Sequence, residues 1–242
     1  MSKHSSAYNS LESNHYSAYR PPLHKLILSK ILRDRHFERA LDVGCGVGTS
    51  SLALVPYAKT VIGYDPSQAM IEKVTPHPAI TYTNLMEKLP SSYDLLCFFG
   101  SLEYIDEIEL KKYTQLLDKG GHLICCDFEV DYEPILKIMG PEPLITDYNH
   151  SKNLTDYPDY GGFKEQVRQV ESTSFSCSLK QLKSLLSAEF ENMGKSTIVI
   201  DSTRFEREIY ELKATLYYAA YTKLWYNEKY FYSNLRPIDT TY

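Results

Sequence analysis

The stretch Ala40-Leu41-Asp42-Val43-Gly44-Cys45-Gly46-Val47-Gly48-Thr49 constrains this chain more than any other. An apolar run passes into alternate glycines and then into a helical pattern, so it reads as a strand–turn–helix junction. Gly44, Gly46 and Gly48 allow a sharp turn and a close approach of the backbone to a ligand. The helix that follows turns unpaired N–H groups toward the same space. Asp42 stands two residues before the first glycine and adds an anion. The junction therefore suits a ligand that has an ammonium group as well as groups that accept from amides.

A second junction follows. Thr60-Val61-Ile62-Gly63-Tyr64-Asp65 is a short apolar run ending in an acid, and Pro66-Ser67 then open a helix over 67–74 that contains Met70. In doubly wound sheets an acid at the end of the second strand accepts hydrogen bonds from ribose hydroxyls. Together the two junctions predict a nucleoside-binding half-sheet. The dinucleotide fingerprint Gly-x-Gly-x-x-Gly fits less well, because the third glycine comes one residue early and Ser50-Ser51 follow.

The rest of the chain alternates for as far as residue 128. A stripe of Leu23, Leu26, Ile27 and Ile31 predicts a helix over 23–32. Strands are expected at 80–83, at the nearly all-apolar 93–99 and at 122–128. Between the last two, Asp106 caps a helix to Leu117 that Lys119-Gly120-Gly121 ends. Residues 131–175 hold Pro134, Pro141, Pro143, Pro158 and Gly161-Gly162, and read as an insertion lying over the sheet. A helix over 179–190 and a strand over 195–201 follow. In 210–221, Tyr210, Leu212, Ala214, Leu216 and Tyr218 alternate with Glu211, Lys213, Thr215 and Tyr217, which is the period of a half-exposed strand.

A net charge of −5 gives no general pull toward nucleic acid. No apolar run reaches the ~20 residues of a membrane span. Residues 1–6 lack the apolar core of a signal peptide, so a cytoplasmic protein is expected. Five cysteines without Cys-x-x-Cys spacing argue against a disulfide framework or a zinc site, and no metal is expected. Tyrosine is abundant, 21 residues against 9 phenylalanines and one tryptophan, and a minority of these rings could face a cationic ligand.

Asp42-x-Gly44-x-Gly46-x-Gly48 resembles motif I of the class I S-adenosylmethionine-dependent methyltransferases. The order of signals is similar to the small-molecule group that includes ubiquinone/menaquinone and trans-aconitate methyltransferases. The resemblance covers 36–130 well and 178–222 loosely. It implies an α/β, Rossmann-like doubly wound and mostly parallel sheet of about seven strands, the last antiparallel, with helices on both faces and an inserted lid. The single domain would span 1–242, with a lid segment at 1–35 and the insertion at 131–175. Tyr16-Ser17-Ala18-Tyr19-Arg20-Pro21 matches the Tyr-x-x-Tyr-Arg-Pro that precedes the first helix in this group. By that likeness Tyr16 and Arg20 would meet the methionine end of S-adenosylmethionine. Asp42, Gly44, Cys45, Gly46 and Gly48 would form its loop, Asp65 would bind the ribose, and Pro66 and Met70 are further cofactor-binding candidates. Leu85-Met86-Glu87-Lys88-Leu89-Pro90 stands where the family has Asp-Ala-x-x-Leu-Pro. Leu85 replaces the acid, which leaves Met86 and Glu87 to meet the adenine. Phe99 and Gly100 would border the methionine portion.

The expected activity is methyl transfer to a small-molecule acceptor, with S-adenosylhomocysteine as product. Orientation alone is worth roughly 7–11 kcal/mol of barrier, so a base is optional. Glu103, Tyr104 and His150 are the catalytic candidates. His122 opens its strand at the opposite edge, and Cys125 and Cys126 sit in mid-strand. The Asn/Asp-Pro-Pro-Tyr/Phe signature of DNA amine methylation is replaced by Phe98-Phe99-Gly100-Ser101, which disfavours nucleic-acid substrates. A monomer or homodimer is expected. The alternative is a non-catalytic member of the fold that acts through partners, suggested by Leu85 and the aromatic tail Trp225 to Tyr232.

Overall fold

The computed structural model describes residues 21–139, 148–158, 160, 162–192 and 208–224. Helix α1 (Leu23–Leu32) precedes strand β1 (Phe37–Val43), and α2 (Thr49–Leu54) leads to β2 (Ala58–Tyr64). Then come α3 (Gln68–Ile71), β3 (Ile80–Thr83), β4 (Tyr93–Phe99), α4 (Glu107–Leu116) and β5 (Leu117–Asp131). The chain continues through α5 (Glu133–Met139), β6 (Phe163–Ser178), α6 (Leu179–Asn192) and β7 (Ile209–Lys223). The seven strands form one sheet in the order β3-β2-β1-β4-β5-β7-β6. β1 to β5 pair in parallel, and β7 runs antiparallel to both of its neighbours. The order reverses between β1 and β4, which opens a crevice at the carboxyl ends of those strands.

Both faces of the central strands are covered, which is why β4 is apolar almost throughout. Ile27 and Leu28 of α1 and Leu54 of α2 pack on Leu95, Ile124 and Leu216. On the other face Leu110 and Tyr113 of α4, with Leu154 and Tyr157, pack on Leu41, Phe98, Leu123 and Tyr221. Asp106 caps α4 as expected, accepting from the Glu109 N–H at 2.8 Å. His122 is structural: it lies edge-on to Phe37 at 5.5 Å and within 3.2 Å of the Thr222 hydroxyl. Cys125 and Cys126 are buried thiols.

The period-2 stretch near the end is strand β7. Tyr210, Leu212, Ala214, Leu216 and Tyr218 are its buried series, and the strand becomes buried on both faces only from Ala219 to Tyr221. β5, β7 and β6 extend well past the end of β4: Asp127–Asp131 pair with Tyr217–Lys213, and Ser178 pairs with Ile209. Tyr132 and Ile135, Leu182, Leu185 and Leu186 of α6, and Tyr210 and Leu212 close a third cluster on this extension. The result is a wall standing beside the crevice.

Three expectations change. The helix after Asp65 is only Gln68–Ile71: Lys73 and Val74 donate to Met70 and Ile71 in tighter i→i+3 turns, and Thr75 before Pro76 avoids helical backbone. Lys119-Gly120-Gly121 does not end a helix but lies in β5. There the register with β4 slips between Tyr93↔Leu117 and Leu95↔His122, with Gly120 at φ +79°. The span read as an insertion ends early, because residues 163–175 belong to β6. That strand is polar and mostly exposed, so it carries no buried alternation to announce it. The expected strand at 195–201, the leader 1–20 and the aromatic tail lie outside the described residues.

Candidate cofactor site

The glycine turn closes on itself before any ligand arrives. Gly44 and Cys45 donate their N–H groups to the Tyr64 carbonyl at 2.8 and 3.0 Å, and Gly48 donates to the Cys45 carbonyl at 2.9 Å. Gly48, at φ +88°, starts α2 from a left-handed conformation that other residues adopt only with strain. A Cβ on Gly44 would stand 2.4 Å from the Ser101 Cβ, and one on Gly48 would stand 2.4 Å from the Tyr82 hydroxyl. The crest differs. A Cβ on Gly46 would meet nothing within 4 Å, so this part of the backbone faces open space.

Asp65 ties the crest to the end of β2. Its Oδ2 accepts from Gly46 N–H and its Oδ1 from Ser67 N–H, both at 2.9 Å. Burial pushes its pKa up, and these two N–H donors hold it down. Each carboxylate oxygen has more than one lone pair, so both can still accept from vicinal hydroxyls. Pro66 is exposed beside it and Met70 is buried beneath. Met86 is half-buried at the start of the 3-10 turn Met86–Lys88, and Glu87 is exposed.

Asp42 takes a place that the sequence did not anticipate. Its side chain has no exposed surface, so as it stands it does not touch a ligand directly. Its Oδ2 accepts from the Ser50 and Ser51 hydroxyls at 2.7 and 2.6 Å, which fastens the strand end to the first turn of α2. Its Oδ1 is buried with no hydrogen-bond partner among the described residues. Burial raises its pKa to about 6 against the Ser51 and Ser50 hydrogen bonds, and Asp65 adds to the rise. Cys45 is buried nearby, and desolvation keeps it a thiol. A fixed, buried carboxylate beneath an open glycine crest, with a hydroxyl acceptor at its rim, fits an aminoacyl nucleoside with positive charge.

The other side of the crevice is built from distant segments. Ser101 is buried and donates to the Val43 carbonyl at 2.5 Å, joining the β4 end to the glycine turn. Phe99 is a core residue, edge-on to His24 at 5.2 Å, rather than a lining one. Gly100, at φ +68°, donates to the Cys126 carbonyl and accepts from the Tyr148 hydroxyl. A Cβ on Gly100 would lie 3.1 Å from Asp127 Oδ1, and Asp127 Oδ2 lies 3.0 Å from His150 Nδ1. The His150 ring meets Tyr148 edge-on at 4.6 Å and stacks over Tyr217 at 6.3 Å. Tyr104 leans on Tyr148 at 5.6 Å. Glu103 lies 3.9 Å from the Lys152 ammonium, which sits 5.2 Å from the centre of the Tyr157 ring. Glu103, Tyr104 and His150 thus come together.

Ser101 stands in the segment after β4 that the resemblance sets beside the cofactor, whereas Tyr82, Tyr148 and Tyr217 are not among the expected site residues. Nothing local marks them, because each acts on a segment far along the chain. Asp127 had a signal in its position at the end of a parallel strand. Tyr16 and Arg20 lie outside the described residues.

The profile of a family described as "Methyltransferase domain" matches residues 14–186. A Saccharomyces cerevisiae protein named as a probable S-adenosylmethionine-dependent methyltransferase, CRG1, is 37% identical over 73 residues, covering 29% of this chain and 25% of that one. A Dictyostelium discoideum protein named as a "Putative methyltransferase" is 31% identical over 121 residues, covering 46% of this chain and 45% of its own. The chain thus spans a quarter to a half of the length of these curated relatives. Among solved structures, a protein named as a "Putative Type II Methyltransferase" from Anaeromyxobacter dehalogenans superimposes with a TM-score of 0.56 at 18% identity, over 86% of this chain and 98% of that one. The Haemonchus contortus phosphoethanolamine N-methyltransferase 2, with phosphomonomethylethanolamine and S-adenosylhomocysteine, gives 0.51 at 15% identity, over 90% and 58%. Both carry the fold described above.

Proposed function

Given that this chain belongs to the class I S-adenosylmethionine-dependent methyltransferases, we propose that it methylates a small-molecule acceptor by in-line transfer in the crevice between β1 and β4. The observation that carries this reading is the clamp of Asp65 on the Gly46 N–H beneath an open crest. Asp65 would accept from the ribose hydroxyls. Met86 and Glu87 would flank the adenine, the thioether packing on the base. Asp42 would act on the methionine ammonium through its charge and through the loop it braces, rather than by contact. Gly100 and Tyr148 would border the sulfur end. When bound, the cofactor supplies a methyl group already activated on a sulfonium. The chain's own work is to align the acceptor behind that methyl and to exclude water, which is where most of the acceleration arises. The wall of β5, β7 and β6 with residues 148–157 would border a small acceptor on the side away from the glycine turn.

Calorimetric titration with S-adenosylmethionine and S-adenosylhomocysteine tests the assignment. Both should bind in the micromolar range, and Asp65→Ala should lose at least about 100-fold. Absence of binding by either ligand overturns it, as does unchanged affinity in Asp65→Ala.

A further inference from the structure

The chain places a histidine–carboxylate pair next to the glycine turn by a short series of contacts. Ser101 packs on Gly44, Gly100 adjoins Ser101, Asp127 lies over Gly100, and His150 Nδ1 is 3.0 Å from Asp127 Oδ2. Asp127 Oδ1 accepts from the Phe128 N–H at 2.7 Å, so the carboxylate is oriented from β5 as well. An ionised carboxylate only accepts, so Nδ1 carries the proton and Nε2 is the basic nitrogen. The pair stands where β7 passes from half-exposed to doubly covered, at Tyr217 opposite Asp127. It is partly buried, with 24% of the His150 and 17% of the Asp127 side chain exposed. Several of the described residues face it. Tyr217 contributes its ring from β7 and hands its hydroxyl to Glu129 at 3.2 Å. Tyr148 stands on its own segment and leads to Tyr104, while the Lys152–Glu103 pair lies one step along.

We infer that His150 is the general base of this chain, that Asp127 is its positioning residue, and that the acceptor is a nucleophile that loses a proton on methylation. That class comprises amines and hydroxyls, and leaves out carboxylates and thioethers. The inference rests on the cofactor reading above. His150 Nε2 takes the acceptor's proton while the acceptor's lone pair forms the bond to the methyl carbon. The pair of the broken carbon–sulfur bond stays on sulfur, and the imidazolium later returns its proton to water. A base in this role contributes about 10²–10⁴-fold.

The test compares two ligands that differ at sulfur by one methyl and one charge. The His150 imidazole is titrated by NMR, with its signal assigned by loss in His150→Gln, under saturating S-adenosylmethionine and then under saturating S-adenosylhomocysteine. A histidine facing the reacting centre should titrate about one unit lower with the sulfonium ligand than with the thioether. If calorimetry shows both bound and the two titrations coincide, His150 does not face that centre and the inference falls while the cofactor reading stands. If neither ligand binds, both fall. Labelled methyl transfer across panels of amines, phenols and carboxylates tells the acceptor classes apart, and transfer to carboxylates alone overturns the inference. With an amine or phenol acceptor, His150→Gln should lower kcat by 10²–10⁴-fold at unchanged cofactor affinity. Asp127→Asn should lower kcat and move the histidine inflection of its pH profile to lower pH. An unchanged kcat in His150→Gln counts against the proposal.

Discussion

The two walls of the crevice are made in opposite ways. From Asp42 to Met70 the hydrogen bonds that close the loop are mostly local, and the backbone does much of the work. Turn carbonyls, amides and the carboxylates of Asp42 and Asp65 shape it, with Tyr82 and Ser101 packed against its glycines. From Gly100 to Tyr217 the partners are side chains from the β4 end, β5, the 148–157 segment and β7, brought together only by the sheet order. The first wall is a rigid local motif suited to one invariant ligand. The second is an assembly of exchangeable side chains on a frame, which is the arrangement that lets one fold serve many acceptors.

The glycine turn gives the largest expected effect and separates folding from binding within a single motif. Gly44→Ala puts a methyl against the Ser101 Cβ at 2.4 Å, on a backbone at φ +73°. Overpacking and backbone strain together should cost about 4 kcal/mol of stability, read by denaturant unfolding. Gly46→Ala meets nothing within 4 Å at φ +52°, so its stability should fall by only about 1 kcal/mol. Its cofactor affinity should nonetheless drop at least about tenfold, since the methyl occupies the open crest. Equal stability losses in the two variants would show that the crest is not the ligand-facing part.

Asp42 tests whether the first wall is tuned as well as rigid. Its pKa is about 6 in the folded chain against 3.8 as the ordinary value. The folded state therefore holds the proton more tightly. The stability that this affords is fully present below about pH 4 and is lost as pH rises through about 6, roughly 3 kcal/mol in all. Asp42→Asn carries no such proton, so the difference between wild type and variant should change with that slope in unfolding experiments from pH 4 to 8. A cationic ligand prefers the ionised form. S-adenosylmethionine affinity should thus rise over the same window in the wild type and stay flat in the variant. A pH-independent difference between the two proteins would mean that Asp42 is ionised throughout.

Much of the first wall was legible because glycine spacing, a strand-end acid and a following helix are written in adjacent residues. Even there the target of Asp42 was not, since Ser50 and Ser51 are ordinary helix residues until the turn folds back on β1. The parallel strands were legible from their apolar runs, and β7 from its alternation. β6 was not: an exposed strand at the border of the described sheet needs no apolar series, and its prolines and glycines upstream suggested a loop. In the second wall the ends of β4 and β5 were legible as positions. The pairing of Asp127 with His150 was not, because they stand 23 positions apart with a change of direction between them.

The smallest effect concerns how firmly the second wall is held. Tyr157 donates its hydroxyl to the carbonyls of Leu102 and Ile105 at 2.9 and 2.7 Å, fixing the 148–157 segment to the loop after β4. Its own ring is buried among Leu154, Leu102 and Phe98. Burial raises its pKa beyond the ordinary tyrosine range, so it remains a neutral donor at physiological pH. On the opposite side Arg168 reaches Thr155 at 2.9 Å and Tyr221 at 3.1 Å, and Tyr221 reaches Asn153 at 3.2 Å. Tyr157→Phe keeps the packing and removes one donor, so global stability should fall by only about 1 kcal/mol. The local consequence is sharper. Amide exchange should quicken in residues 149–157 and remain unchanged in 42–70, because among the described residues no hydrogen bond runs directly from the glycine turn to this segment. Cofactor affinity should be retained while the His150 environment, read by its NMR line, broadens. Equal quickening in both walls would show that the crevice opens as one cooperative unit, and the division between a local motif and an assembled frame would then describe the sequence but not the folded molecule.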